Sequence, residues 1–202
     1  MKTQQIITAI LIAIGAAVAI YGATRPDVGL LKFKVKENIA YGYGGTDGRS
    51  VAAVKKLMKE HPNVDTLVFK KMPGTQDADS NLKLAYDIRR RGLNTHIESN
   101  SVIASGAVDL FLAGNKRTMD CGALIGVHSW SVAGGRSTIR ISPTDMGIDR
   151  RQKYQEKFLS DMGIDPAFYA FTRAAAEPEK IHYMSMNEIR RFDLLTEYPD
   201  CK

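Results

Sequence analysis

After residue 50 the chain alternates between two periodicities that cannot belong to the same kind of element, and this alternation restricts the folds open to it. Val51, Val54, Leu57 and Met58 recur at helical spacing and predict a helix that ends at His61-Pro62. Residues 64–69 (VDTLVF) form a short, nearly continuous apolar run with β-branched side chains, which reads as a buried strand broken by Pro73-Gly74. Asp77 and Asp79 supply N-cap chemistry for a second helix carrying Leu82, Leu84, Ala85 and Ile88, which Gly92 stops. A strand over 94–98, a helix over 104–113 with Ala107, Leu110 and Phe111 inward, and a buried strand over 123–127 follow. Strand and helix in turn imply an α/β domain of parallel strands joined by crossover helices. Residues 26–44 read as irregular structure and short strands leading into a Gly-rich turn at 42–48. The tail reads as mostly helical, with a stripe of Tyr154, Phe158 and Met162 and a last helix N-capped by Ser185.

The beginning of the chain has a different character. Residues 3–24 carry no charge, and residues 6–23 are almost wholly apolar. As a helix at 1.5 Å per residue those eighteen residues span about 27 Å, close to the hydrocarbon thickness of a bilayer. Lys2 and the amino terminus precede the run, as in a signal sequence or signal anchor. The expected organisation is therefore a targeting segment or hydrophobic anchor helix over 1–25, followed by the α/β domain over 26–202. Ala17-Val18-Ala19 fits a small-x-small cleavage site; uncut, residues 6–23 would hold the chain in a membrane. The expected location is the periplasm or another extracytoplasmic space, or the inner membrane. Arg25, Lys32, Lys34 and Lys36 follow the segment and only Lys2 precedes it in sequence, which does not fix orientation.

A net charge of +6 invites a nucleic-acid reading. The densest basic run, Arg89-Arg90-Arg91, sits at the end of a predicted helix, where the helix dipole favours cations, and no aromatic is interleaved to stack a base. It reads as a solvated helix end, and no nucleic-acid partner is expected. Cys121 and Cys201 do not make a disulfide framework; one lies mid-chain and one beside the end, and a bridge between them stays open. There is no C-x-x-C or H-E-x-x-H spacing, so neither metal nor cofactor is expected.

Eleven serines and four histidines guarantee some pairing in any chain of this size, so position has to decide. Ser105 follows a predicted strand and opens a predicted helix, which places its hydroxyl where open α/β sheets bind ligands. The helix start offers unpaired backbone N–H groups to an oxyanion. His128 ends the next strand, ALIGVH, and can project from the same sheet edge.

Ala104-Ser105-Gly106-Ala107, running to Leu112-Ala113-Gly114, resembles the nucleophile helix of Clp-protease proteolytic subunits, in which a helix-ending glycine follows the serine by nine residues. Lys116-Arg117 and GALIGVHSW resemble the family's following segments, with His128 lying 23 residues after Ser105, two fewer than is usual there. VDTLVFKKMPGTQDADSNLKLAYDIRRRG and HYMSMNEIRRFDLLTE resemble its proline-glycine loop and closing segment. The likeness covers roughly 40–198 and is nearest to exported Clp-like proteins; it implies the Clp-protease/crotonase-like fold.

That resemblance implies a serine hydrolase, most naturally a peptidase acting on a peptide or protein. Ser105 would be nucleophile, His128 general base and Glu177 the orienting acid, with oxyanion donors from Gly74, Thr75 and Gly106. Each donor would be worth on the order of 3 kcal/mol. It also implies self-association, since relatives form rings or trimers. Four departures stand out. Thr75 replaces a second glycine, where a Cβ can obstruct the turn or the substrate. Gly106 replaces a larger residue and loosens the helix start. Glu177 stands for an aspartate, with Glu179 close by. Asp109 lies in an apolar helix, where an unpaired carboxylate is costly. Bland readings remain beside these: Ser105 as a helix cap, His128 as a satisfied strand-end histidine, Glu177 as a surface carboxylate, and Trp130 as either a cover for the site or core. Two other function classes are open: a binding or assembly module that keeps the fold without the chemistry, and a crotonase-like enzyme acting on an acyl thioester, which an export signal disfavours.

Overall fold

The computed structural model describes residues 31–129, 131–134, 137–140 and 150–201. The apolar segment over 6–23 and Trp130 lie outside them. Among the described residues no helix is long and apolar enough to cross a membrane.

The most apolar strands occupy the middle of a seven-stranded sheet. At one edge β1 (Lys32–Lys36) and β2 (Ile39–Tyr43) form an antiparallel hairpin around Glu37-Asn38, the short strands expected ahead of the Gly-rich turn. Lys32, Lys34 and Lys36 alternate outward along this edge, a pattern that discourages further strand pairing. β2 pairs in parallel with β3 (Thr66–Met72), and β3 with β4 (Asn94–Ala104). The eleven-residue β4 is shared along its length. Its first half takes β5 (Arg117–Met119) and its second half takes β6 (Leu124–Val127), both in parallel. The two-residue β9 (His182–Tyr183) lies antiparallel to β6 at the far edge. The sheet is thus mostly parallel, with antiparallel strands at its rims. A separate hairpin joins β7 (Ser131–Gly134) to β8 (Ser137–Arg140).

Three crossover helices connect the inner strands: α1 (Ser50–Glu60), α2 (Ala78–Arg90) and α3 (Gly106–Leu112). Asp77 starts α2 as expected, accepting the Ser80 N–H. α2 buries Leu84, Ala85 and Ile88, and α3 buries Ala107, Leu110 and Phe111 in the same core as Leu67, Phe69, Ile97 and Ile103 of the sheet. Each fully buried Leu, Ile or Phe contributes roughly 1.5–3 kcal/mol. The strand expected over 94–98 runs on to Ala104, because Val102 to Ala104 pair with β6, a partner distant in sequence. The helix therefore begins only at Gly106. α4 (Arg150–Asp161), α5 (Ala167–Ala175) and α6 (Met186–Arg191) complete the domain. Ser185 and Glu188 form the capping box of α6. The expected stripe holds for Phe158 and Met162, which are buried, whereas Tyr154 is 60% exposed.

The basic run at the end of α2 is engaged within the protein. Arg89 donates to the Gly114 carbonyl at 3.1 Å, while Arg90 and Arg91 pair with Asp87 at 3.2 and 2.9 Å. Cys121 and Cys201 form a disulfide across 80 residues, the alternative the sequence left open. Buried Arg117 adds a non-covalent clasp on the same tail, donating from Nε to the Leu194 carbonyl at 2.9 Å. Closing a loop of this size stabilises the folded chain by about 4–5 kcal/mol in the chain-entropy view. Reduction, or Cys201→Ser, is expected to lower the melting temperature by roughly 10 °C, measured by circular dichroism with and without reductant.

Candidate active site

Strand register brings the two candidate residues to one place. Ala104 of β4 stands opposite Gly126 of β6, and the Ser105 N–H extends that ladder by donating to the Gly126 carbonyl at 3.0 Å. Ser105 and His128 therefore leave neighbouring parallel strands one and two residues past their last pair, at the carboxyl edge. Both line a cavity of about 1180 Å³, together with Thr75, Gly106 and Asp109.

Ser105 makes the strand-to-helix turn in a single residue, at φ 55° and ψ −133°. A side chain in that region costs about 1–3 kcal/mol and persists only where surrounding structure enforces it. The residue occupies the N-cap position of α3, yet its hydroxyl makes no capping bond. A strained turn that offers an uncapped hydroxyl at the top of a sheet is the geometry of a nucleophile elbow.

The β3–α2 loop presses against this turn. Gly74 has φ +128°, and a Cβ there would lie 2.8 Å from the Ser105 Cβ. Thr46 bridges to the loop in parallel: its N–H donates to the Gly74 carbonyl and its own carbonyl accepts the Gln76 N–H, both at 2.9 Å. Because those flanking groups face Thr46, the N–H of Thr75 points the other way, toward the end of β4. Thr75 needs no glycine, since its φ is not positive. Its hydroxyl is taken up locally, donating to the Asp77 carbonyl at 3.0 Å and accepting the Asp77 N–H at 3.1 Å. A Cβ on Gly106 would meet the Thr75 Cγ2 at 2.5 Å. Two departures from the Clp pattern thus fit one another: threonine fills the space that a residue larger than glycine would take after the serine. Gly106 is buried against that methyl, and the helix start is tight where a loose one was expected.

His128 is half-buried, and its buried Nδ1 has no hydrogen-bond partner among the described residues. Among the described residues no hydrogen bond joins Ser105 to His128. Glu177 lies exposed in a turn where its carbonyl accepts the Lys180 N–H, and no hydrogen bond joins it to His128. The preceding residue, Ala176, accepts the Ser129 N–H at 2.7 Å, which keeps the turn beside the histidine strand. Ser105, His128, Gly74, Thr75 and Gly106 are therefore brought together, whereas the Glu177 carboxylate stands off. The remaining histidines sit elsewhere: His61 is exposed, His96 bonds Thr118, and His182 pairs with Glu188 at 3.0 Å.

Asp109, one turn along α3 from Ser105, opens onto the cavity but lies deep in the protein. Burial pushes its carboxyl up to about 7, against the opposing effect of hydrogen bonds from Gln155 and Asn81. The Gln155 amide donates to Oδ1 at 2.6 Å and the Asn81 amide to Oδ2 at 3.3 Å, so its partners are neutral donors. Sequence reasoning flagged Asp109 and passed over Asn81. Its signal was there: Asn81, Leu84, Ala85 and Ile88 make an i, i+3, i+4, i+7 stripe, and all four are buried.

No protein-family model matches this sequence, and no curated protein does either. Solved structures do. A serine-to-alanine variant of the 1510-N membrane-bound stomatin-specific protease superposes with a TM-score of 0.58 at 14% identity, over 82% of this chain and 81% of that one. A lysine-to-alanine variant of that protease in complex with a substrate peptide gives 0.53 at 12%, over 80% and 72%. An enoyl-CoA hydratase/isomerase family member gives 0.53 at 13%, over 85% and 70%. The chain has the Clp-protease/crotonase-like fold. At these identities the Clp-protease/crotonase-like likeness carries the architecture and leaves the chemistry to the residues.

Two outcomes follow from this geometry. Gly106→Ala should lower stability by about 1–3 kcal/mol through the clash with Thr75, and adding Thr75→Gly should restore most of it, read by denaturant unfolding. Asp109 holds its proton in the folded state up to about pH 7 but loses it near pH 4 when unfolded. Its contribution therefore falls as pH rises from about 4 to 7 and is level above that. Asp109→Asn cannot ionise, so its melting temperature should gain several degrees on the parent's between pH 4 and pH 8, a gap that scanning calorimetry reads directly.

Proposed function

We propose that this protein is a serine hydrolase acting on peptide bonds outside the cytoplasm, with Ser105 as nucleophile and His128 as general base. One observation carries this reading: the strained turn at Ser105 holds an uncapped hydroxyl in the cavity that His128 also lines. Ser105 Oγ attacks the acyl carbon while His128 accepts its proton. The negative charge that develops on the former carbonyl oxygen is met by the N–H groups of Thr75 and Gly106. Collapse expels the amine, which takes the proton back from His128, and water then hydrolyses the acyl-enzyme. Glu177 is the orienting acid in this scheme, reached by closure of its turn onto the unpartnered Nδ1. A peptide substrate is favoured by the protease of the same fold that has been captured with one.

The extracytoplasmic setting is supported by the Cys121–Cys201 disulfide, since such bonds persist in oxidising compartments, and by the uncharged apolar leader. If that leader is retained, it anchors the domain; a homo-oligomer belongs to the same reading. The lack of a hydrogen bond between Ser105 and His128 among the described residues and the exposed Glu177 favour a second reading, a binding or assembly module that uses the cavity without turning over a substrate.

Labelling with a fluorophosphonate decides between them. The purified protein should be modified, Ser105→Ala should not, and Ser101→Ala, altered at a buried β4 serine outside the cavity lining, should label normally. A form of the probe that cannot cross the inner membrane should label the protein in intact cells. Folded parent protein that resists the probe sinks the hydrolase reading and leaves the module.

A further inference from the structure

We propose that Asn81 is a positioning residue of this site, a buried amide that fixes the spacing between the two backbone donors on the Gly74–Thr75 loop and at Gly106. The inference rests on the hydrolase reading and deepens it. Asn81 is only 1% exposed and Thr46 is fully buried. Asn81 Oδ1 accepts from the Thr46 hydroxyl at 2.7 Å, and Nδ2 donates to the Gly106 carbonyl at 2.8 Å. The amide can sit only this way round, because the Gly106 carbonyl can accept and cannot donate. Thr46 in turn grips the loop at two points, through the Gly74 carbonyl and the Gln76 N–H. One side chain thereby joins the loop that carries the first donor to the residue that carries the second.

The remaining capacity of Nδ2 is directed at Asp109 Oδ2, at 3.3 Å, and Asp109 Oδ1 in turn accepts from Gln155 of α4 at 2.6 Å. The linkage therefore extends to α4 and is more than a local cap. A Cβ on Gly106 would stand 3.1 Å from Nδ2, so the same amide also helps to exclude a side chain at that position. Oxyanion donors act only within about 2.7–3.1 Å of the developing charge, and an error of about half an ångström in their spacing forfeits much of the effect. Loss of the linkage should therefore slow bond making more than it weakens encounter with the reagent.

The test is the concentration dependence of fluorophosphonate inactivation, which separates the maximal rate (kinact) from the apparent affinity (KI). Asn81→Ala removes both links, and Thr46→Val removes one hydroxyl with almost no change of shape. Each should lower kinact by about tenfold or more with KI little changed, measured well below its own melting temperature. Arg117→Met loosens the C-terminal tail, remote from the cavity, and should keep the parental kinact. Parental kinact in folded Thr46→Val or Asn81→Ala overturns the inference. So does a loss confined to KI, or an equal fall in Arg117→Met. In each of those cases Ser105-dependent labelling of the parent leaves the hydrolase reading standing. Absence of Ser105-dependent labelling in the parent removes both.

Discussion

A Cβ at Gly74 would stand 2.8 Å from that of Ser105, and one at Gly106 would run into the Thr75 methyl group. The β3–α2 loop and the first turn of α3 are pressed together until only hydrogens fit between them, and the rest of the site follows from that approach. Backbone amides can converge on a single point only if no side chain separates their strands. The chain must also pass from β4 into α3 without a linker, which forces Ser105 into its left-handed turn. Thr46 and Asn81 hold the two sides from behind, and their hydrogen bonds satisfy polar groups that are buried there.

The same architecture serves proteases and hydratases among the similar solved structures. Both kinds of reaction place negative charge on an acyl oxygen, so both profit from amides aimed at one point, and what differs is the side chain delivered beside them. In the proposed hydrolase reading that side chain is the hydroxyl of Ser105 on its strained turn, with the imidazole of His128 leaving the neighbouring strand. The buried Nδ1 of His128 is the unfinished part of the arrangement. Fixing the tautomer and orientation of such a ring is the task a carboxylate performs in a completed triad, and no described carboxylate bonds this one.

The interior of the fold was legible because its elements are local and strongly periodic, and because Asp77, Gly92 and Ser185 punctuate them with ordinary cap and stop chemistry. Where partners lie far apart in sequence, legibility failed. β4 overran its expected end because its second half is stabilised by β6, and no local signal announces that pairing. The short strands expected over 26–44 could not be bounded from sequence, because β1 takes its limits from its hairpin partner β2. Ser105 and His128 could be placed at one edge from strand ends alone. The fit of Thr75 into the space beside Gly106 could not, since each residue taken singly looks like a defect. Asn81 was visible as a polar residue on an apolar helical stripe, but its side-chain partners Thr46, Gly106 and Asp109 come from other segments.

The sulfur bridge between Cys121 and Cys201 encloses His128 and leaves Ser105 outside the loop. A cut in the backbone anywhere between those cysteines would divide the chain on paper while leaving its pieces covalently tied. Where the scission falls in the β7–β8 hairpin or near α4, Ser105 and His128 stay on one piece, and the bridge keeps the other piece, with α5, Glu177 and α6, attached to it. Such a tether turns a break that would otherwise shed the C-terminal helices into a tolerable scar.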